Sequence, residues 1–84
     1  ASADPQAEAL LSRLKDLRRR LAAARGVPAF VVFSDRSLTD MAKRMPLTRH
    51  DFGEVHGVGE AKLKEFGDLF LKEIAASLAG TTSP

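Results

Sequence analysis

With no cysteine and no tyrosine in the chain, any chemistry falls to its histidines, carboxylates, hydroxyls and cations. His50 and His56 are the only imidazoles, and a metal would need further histidine or carboxylate ligands converging on them. Asp51 and Glu54 are close in sequence, but both belong to a short capped helix that accounts for them. Ser34, Ser37, His50 and Asp51 can be drawn as a hydrolytic triad. The serines, however, read as helix caps, and no strained nucleophile turn accompanies them. Glu60 and Glu65 are ordinary solvated helix positions, and neither a phosphate-loop lysine motif nor G-x-G-x-x-G occurs. No catalytic residue, metal or other cofactor is expected. The chain reads as a non-enzyme.

Two patterns suit binding instead. Arg18-Arg19-Arg20, with Arg13, Lys15 and Arg25, lies on one helical segment, flanking a stripe of leucines. Such arginines either cover the core edge with their stems or contact the backbone of a nucleic acid. Gly57-Val58-Gly59 stands directly before a helix, where small residues let backbone N–H groups approach an anion. Helix-hairpin-helix motifs grip DNA phosphate with such a turn, although the same pattern also serves as a plain connection. Lys62 and Lys64 would assist an anion there, and Glu60 would oppose it.

Charge is unevenly spread. Residues 1–50 carry ten Lys/Arg against five Asp/Glu, whereas residues 51–84 carry three against six. If the halves form different faces, the domain has a basic side suited to phosphate and an acidic side suited to protein.

Helices must position these groups. Asp4-Pro5 reads as an N-cap followed by proline at the first helical position. Leu10, Leu14, Leu17 and Leu21 then recur at helical spacing, and Gly26 and Pro28 end the helix. Val27–Phe33 has the composition of a strand but no partner strand anywhere in the chain. Its backbone groups would go unsatisfied, so a turn or short helical segment is expected. Ser37-Leu-Thr-Asp40 reads as a capping box opening a helix with Leu38, Met41, Ala42 and Met45 buried, closed by Pro46. Thr48-Arg-His-Asp51 repeats the pattern, with Leu47 as hydrophobic staple and Phe52 and Val55 as anchors. A last helix from about Glu60 to Leu78 places Leu63, Phe66, Phe70, Ile74 and Leu78 on one face. Gly67 within it signals close helix packing.

Eighty-four residues with 44% apolar side chains suit one domain with one core. No apolar run approaches the roughly 18–20 residues of a membrane span, and no signal-peptide pattern is present. A soluble, cytoplasmic chain without a membrane partner is expected.

The order of these segments resembles the HRDC domain, the helicase-and-RNase-D C-terminal module of RecQ-family helicases, bacterial ones above all. The matching pieces are L-x-x-L-R-x-x-L from Leu14 to Leu21 and G-V-P-x-F-V-V-F-S-D from Gly26 to Asp35. S-L-T-D-M-A from Ser37, Met45-Pro46 and G-V-G-E-A-K-L-K-E-F-G from Gly57 to Gly67 follow. The resemblance implies an all-α fold: a compact bundle of about five short helices, no sheet, spanning 7–79. Residues 1–6 would form a linker or tail and 80–84 a C-terminal tail. It also implies a non-catalytic accessory to an ATP-driven DNA helicase in the bacterial nucleoid, binding single-stranded or branched DNA weakly as a monomer. Where bacterial members commonly read P-P-Y, this chain has Pro28-Ala29-Phe30. The expected DNA contacts are Arg18, Arg19, Arg25, Arg36, Lys62 and Lys64 on phosphate, with Phe30 for base stacking. The alternative is an interdomain or protein-interaction module, with Asp51, Glu54, Glu60, Glu65, Asp68 and Glu73 docking on the helicase core or another protein.

Overall fold

Leucines at helical spacing fold as expected in the structure, a computed structural model that describes residues 5–80. Helix α1 (Pro5–Arg25) buries Leu10, Leu14, Leu17 and Ala22. It begins two residues before the expected domain start, and the proposed Asp4 cap lies outside the described residues. Gly26 adopts φ 68°, and the Val27 N–H donates to the Ala22 carbonyl at 3.0 Å. This left-handed residue with a bond reaching back five positions is the usual glycine stop.

Val27–Phe33 is not a strand, and no strand occurs among the described residues. Its centre is a single helical turn, α2 (Ala29–Val32). One turn lets the segment split its apolar load: Val32 and Phe33 are buried, while Phe30 and Val31 are 70% and 43% exposed.

Helix α3 (Asp35–Arg44) starts earlier than the capping-box reading placed it. Ser34 is the N-cap, its Oγ accepting from the Ser37 N–H at 3.1 Å. Ser37 is instead a buried first-turn residue whose hydroxyl packs beneath Gly57. Both serines could begin a helix, and the tertiary contact with Gly57 decides between them. Leu38, Met41 and Ala42 are buried as expected, and Met45, half-buried, ends the helix at φ 48° before Pro46.

Helix α4 (Arg49–Gly53) is capped by Thr48, whose Oγ1 accepts from the Asp51 N–H at 3.1 Å. The expected Leu47 staple does not form, and Leu47 is 57% exposed. Phe52, an expected anchor of this helix, is buried against Phe33 and Phe70. Val55, just past the helix, is buried.

Helix α5 (Glu60–Gly80) buries Phe66, Phe70 and Ile74 and packs along α1 and α4. A Cβ on Gly67 would sit 2.9 Å from Leu63 Cδ1. The glycine therefore lets Leu63 fold flat toward Gly53, which brings α4 and α5 close. At the centre, Phe33 meets Phe70 edge-on at 4.9 Å and Phe66 at 5.8 Å. Such pairs contribute about 0.5–1.5 kcal/mol each beyond area burial.

Candidate nucleic-acid interface

The arginines of α1 do not share one role. Arg18 lies at the edge of the leucine stripe and turns inward, its side chain only 13% exposed. Its Nη1 donates to the Phe33 carbonyl at 3.0 Å and meets Asp35 Oδ1 at 2.8 Å. It clasps the end of α2 to the start of α3. Arg19 points outward and pairs with Asp16, which also receives Arg20 at 3.3 Å. Two cations on one carboxylate leave that surface positive. Lys15, Asp16, Arg18 and Arg19 line a groove between α1 and α2 whose other wall is Ala29.

Phe30, next to Ala29 on α2, is exposed to solvent. Lys62 reaches from α5 and donates to the carbonyls of Val31 and Val32, the latter at 2.7 Å. Its ammonium also lies 5.5 Å from the Phe33 ring centroid. Arg25 sits 4.8 Å above Phe66 and meets Glu65 at 2.5 Å. Lys62 approaches the same Phe66 ring, at 5.9 Å. Arg18, Arg19 and Lys62 therefore meet α2, which carries Phe30, or its C-terminal end, and Arg25 shares the Phe66 ring with Lys62. Two expected contacts lie elsewhere: Arg36 is on α3, and Lys64 lines a groove with Arg49, Glu60 and Leu63.

The acidic residues do not form a face of their own. Glu73 pairs with Arg13 at 2.7 Å, Glu65 with Arg25, and Asp68 with Arg49 at 2.5 Å. The basic α1 packs directly on the acidic α5, so the two halves of the sequence answer each other's charge. Asp51, Glu54 and Glu60 remain exposed around the α4–α5 connection.

A second groove went unnoticed in the sequence. It is lined by Arg36, Thr39, Asp40, Lys43 and Arg44 of α3 together with His56. Asp40 accepts from the His56 N–H at 2.8 Å and from Arg44 Nε at 2.9 Å. The His56 backbone bond, aided by Arg44, holds the Asp40 carboxyl below its ordinary 3.8, against the opposing effect of burial. The signal for this groove was the two-turn spacing of Arg36 and Lys43. Among the described residues, no three histidine or acidic side chains converge as a metal site requires. No helix among them is long and apolar enough to cross a membrane.

The turn before α5 has unequal glycines. Gly57 has φ 78° and packs against Ser37, whereas a Cβ on Gly59 would meet open space. The Gly59 carbonyl accepts from the Leu63 N–H at 2.9 Å and so starts α5.

The HRDC domain family model matches residues 7–74. This chain belongs to the HRDC family. It is similar to the D. radiodurans RecQ HRDC domain 3, with a TM-score of 0.82 and 36% identity over 89% of this chain and 97% of that one. The ATP-dependent DNA helicase RecQ of Bacillus subtilis is 42% identical over 76 residues, 90% of this chain and 13% of that protein. That of Haemophilus influenzae is 37% identical over 74% of this chain and 10% of its own length. The ATP-dependent DNA helicase UvrD2 of Mycobacterium tuberculosis is 37% identical over 71% of this chain and 9% of its own length. The HRDC chain thus spans roughly a tenth of the curated relatives it matches. HRDC is an accessory domain of RecQ helicases, and the five-helix, all-α fold expected for it is the one observed.

Proposed function

We propose that this HRDC domain is the DNA-holding accessory of a RecQ-like ATP-dependent helicase, gripping single-stranded DNA at α2. One observation carries the reading: Phe30 is 70% exposed on a turn flanked by cations. An exposed ring offers a stacking platform worth about 1–3 kcal/mol per base, and it tolerates any sequence. Lys15 and Arg19 line the groove closed by Ala29, the chain neighbour of Phe30, and can track phosphates. So can Lys62 over the Phe66 ring, where Arg25 is held by Glu65. Arg18 and Lys62 also bond the carbonyls of residues 31–33, which fixes the turn that presents Phe30. Binding by the domain alone is weak, with three or four phosphate contacts. The domain works as a monomer within the helicase polypeptide, at the bacterial nucleoid.

Fluorescence anisotropy with labelled oligodeoxythymidine at low salt tests this. Phe30→Ala is expected to weaken binding about tenfold, equivalent to about 1.4 kcal/mol. The log–log salt slope should be about −0.7 per phosphate contact. Absence of binding, or binding indifferent to salt, defeats the proposal for this domain.

A second reading draws on Asp51, Glu54 and Glu60, exposed acids near the α4–α5 connection that form no ion pair among the described residues. They would dock on a basic surface of the helicase core or of another protein. Glu60→Lys in the full-length helicase separates the two readings. Lost unwinding with unchanged DNA affinity of this domain supports docking.

A further inference from the structure

We infer that the groove between α3 and His56 is a second DNA site, one that takes the backbone of a duplex rather than a single strand. The inference rests on the proposal above for the choice of DNA as ligand, but not on Phe30 or on the cations proposed to hold the single strand. The two grooves share no lining residue.

Three cations and one carboxylate line this groove. The carboxylate, Asp40, is occupied by Arg44 and the His56 N–H. Asp35, the other acid of α3, is taken by Arg18. Arg36 and Lys43 are thus left without a carboxylate partner among the described residues. Lys43 and Arg44 stand in the last turn of α3, where positive charge is favoured by the helix dipole. Arg36 is the second residue of the same helix, where positive charge is disfavoured. Helix stability therefore accounts for Lys43 and Arg44 but not for Arg36. Two turns separate Arg36 from Lys43, about 10.5 Å along the axis, so both present their charge on one side.

The absence of a platform selects the ligand. No phenylalanine lines this groove, and its one ring is the imidazole of His56. Single strands without sequence preference are held by stacking as well as charge. A duplex keeps its bases stacked inside and offers phosphates alone, which fixed cations are enough to hold. One domain would then engage both parts of a fork, the unpaired strand at α2 and the paired arm at α3.

The test titrates a labelled 16-base-pair blunt duplex and oligodeoxythymidine separately, against the unmodified chain, Arg36→Ala/Lys43→Ala and Phe30→Ala. The double variant is expected to weaken duplex binding roughly tenfold and to make its salt slope shallower by about 1.8, two contacts at about 0.9 each. Its oligodeoxythymidine affinity should stay within about twofold. Phe30→Ala should show the reverse pattern. An unchanged duplex slope in the double variant overturns the inference, as does an equal loss on both DNAs. If Phe30→Ala leaves oligodeoxythymidine binding intact while the double variant loses the duplex, the single-strand proposal fails and this one stands. Arg36→Gln/Lys43→Gln, which keeps long side chains, should repeat the loss with an unaltered melting temperature. Should only the alanine pair lose binding, and melt lower, the loss is one of folding and the inference falls.

Discussion

Two sides of this bundle treat charge differently. Along the seams of α5, carboxylates answer cations one to one: Arg13 with Glu73, Arg25 with Glu65, and Arg49 with Asp68. Around α2 and α3 the carboxylates are outnumbered. Asp16 serves both Arg19 and Arg20, Asp35 is held by the inward-turned Arg18, and Asp40 is shared by Arg44 and a backbone N–H. Lys15, Arg36 and Lys43 are left over. The α2–α3 edge therefore carries a local excess of positive charge that the chain's net charge of +2 does not reveal. Charge summed over sequence halves misleads whenever the halves pack face to face, as α1 and α5 do.

The same contrast separates interior rings from the surface ring, and the largest expected effect tests it. Phe33→Ala removes the ring that touches Phe52, Phe66 and Phe70, and should cost about 3–5 kcal/mol in urea denaturation. Phe30→Ala, three residues away, should change stability by no more than about 0.5 kcal/mol. Comparable losses would mean that Phe30 belongs to the fold and not to a binding surface.

A smaller effect distinguishes the glycines before α5. Gly57→Ala strains a residue at φ 78° and drives a methyl into the Ser37 hydroxyl. A loss of about 1–3 kcal/mol is expected. Gly59→Ala meets open space at ordinary φ and should be neutral, or stabilising by up to about 1 kcal/mol through the unfolded chain. Thermal melts of the two variants provide the check. If Gly59→Ala melts normally yet binds DNA more weakly, the turn also touches phosphate and the positive edge extends to α5.

Much of this was legible in the sequence because local signals and tertiary packing agree. The leucine period of α1, its Gly26 stop and the aromatic face of α5 all report burial directly. The apolar segment at Val27–Phe33 is legible as a turn because the chain offers no second strand to satisfy its backbone bonds. Failures came where two residues offer the same local chemistry and only packing chooses. Ser34 and Ser37 can each cap α3, and Gly57 decides. Leu47, expected to staple α4, stays exposed while the neighbouring Pro46 is buried. The site was harder to read than the fold. Arg18, Arg19 and Arg20 are alike in sequence, but a helix turns each by about 100°, so one becomes a clasp and two face solvent. The α3 groove depends on His56 returning from sixteen residues away to meet Asp40. No local pattern encodes that meeting.

The smallest expected effect asks whether the seam masks a cation that would otherwise join the positive edge. Arg25 and Glu65 are each nearly half exposed. A pair so placed contributes only about 0.2–1 kcal/mol to stability. Glu65→Gln keeps a hydrogen-bond acceptor for the guanidinium and removes the negative charge. The Phe66 ring, 4.8 Å from the guanidinium, still supports Arg25 at the surface. Melting should therefore shift little. A freed Arg25 that reaches a phosphate should steepen the oligodeoxythymidine salt slope by about 0.7, the contribution of one contact. Glu65→Gln also raises the overall charge by one, which could strengthen binding without any contact by Arg25. Repeating the titration in Arg25→Ala and in Arg25→Ala/Glu65→Gln separates these causes. A gain that vanishes without Arg25 shows that Glu65 holds back a specific DNA contact. A gain that persists without it would mean that the seam is closed to DNA and that only the domain's overall field responds.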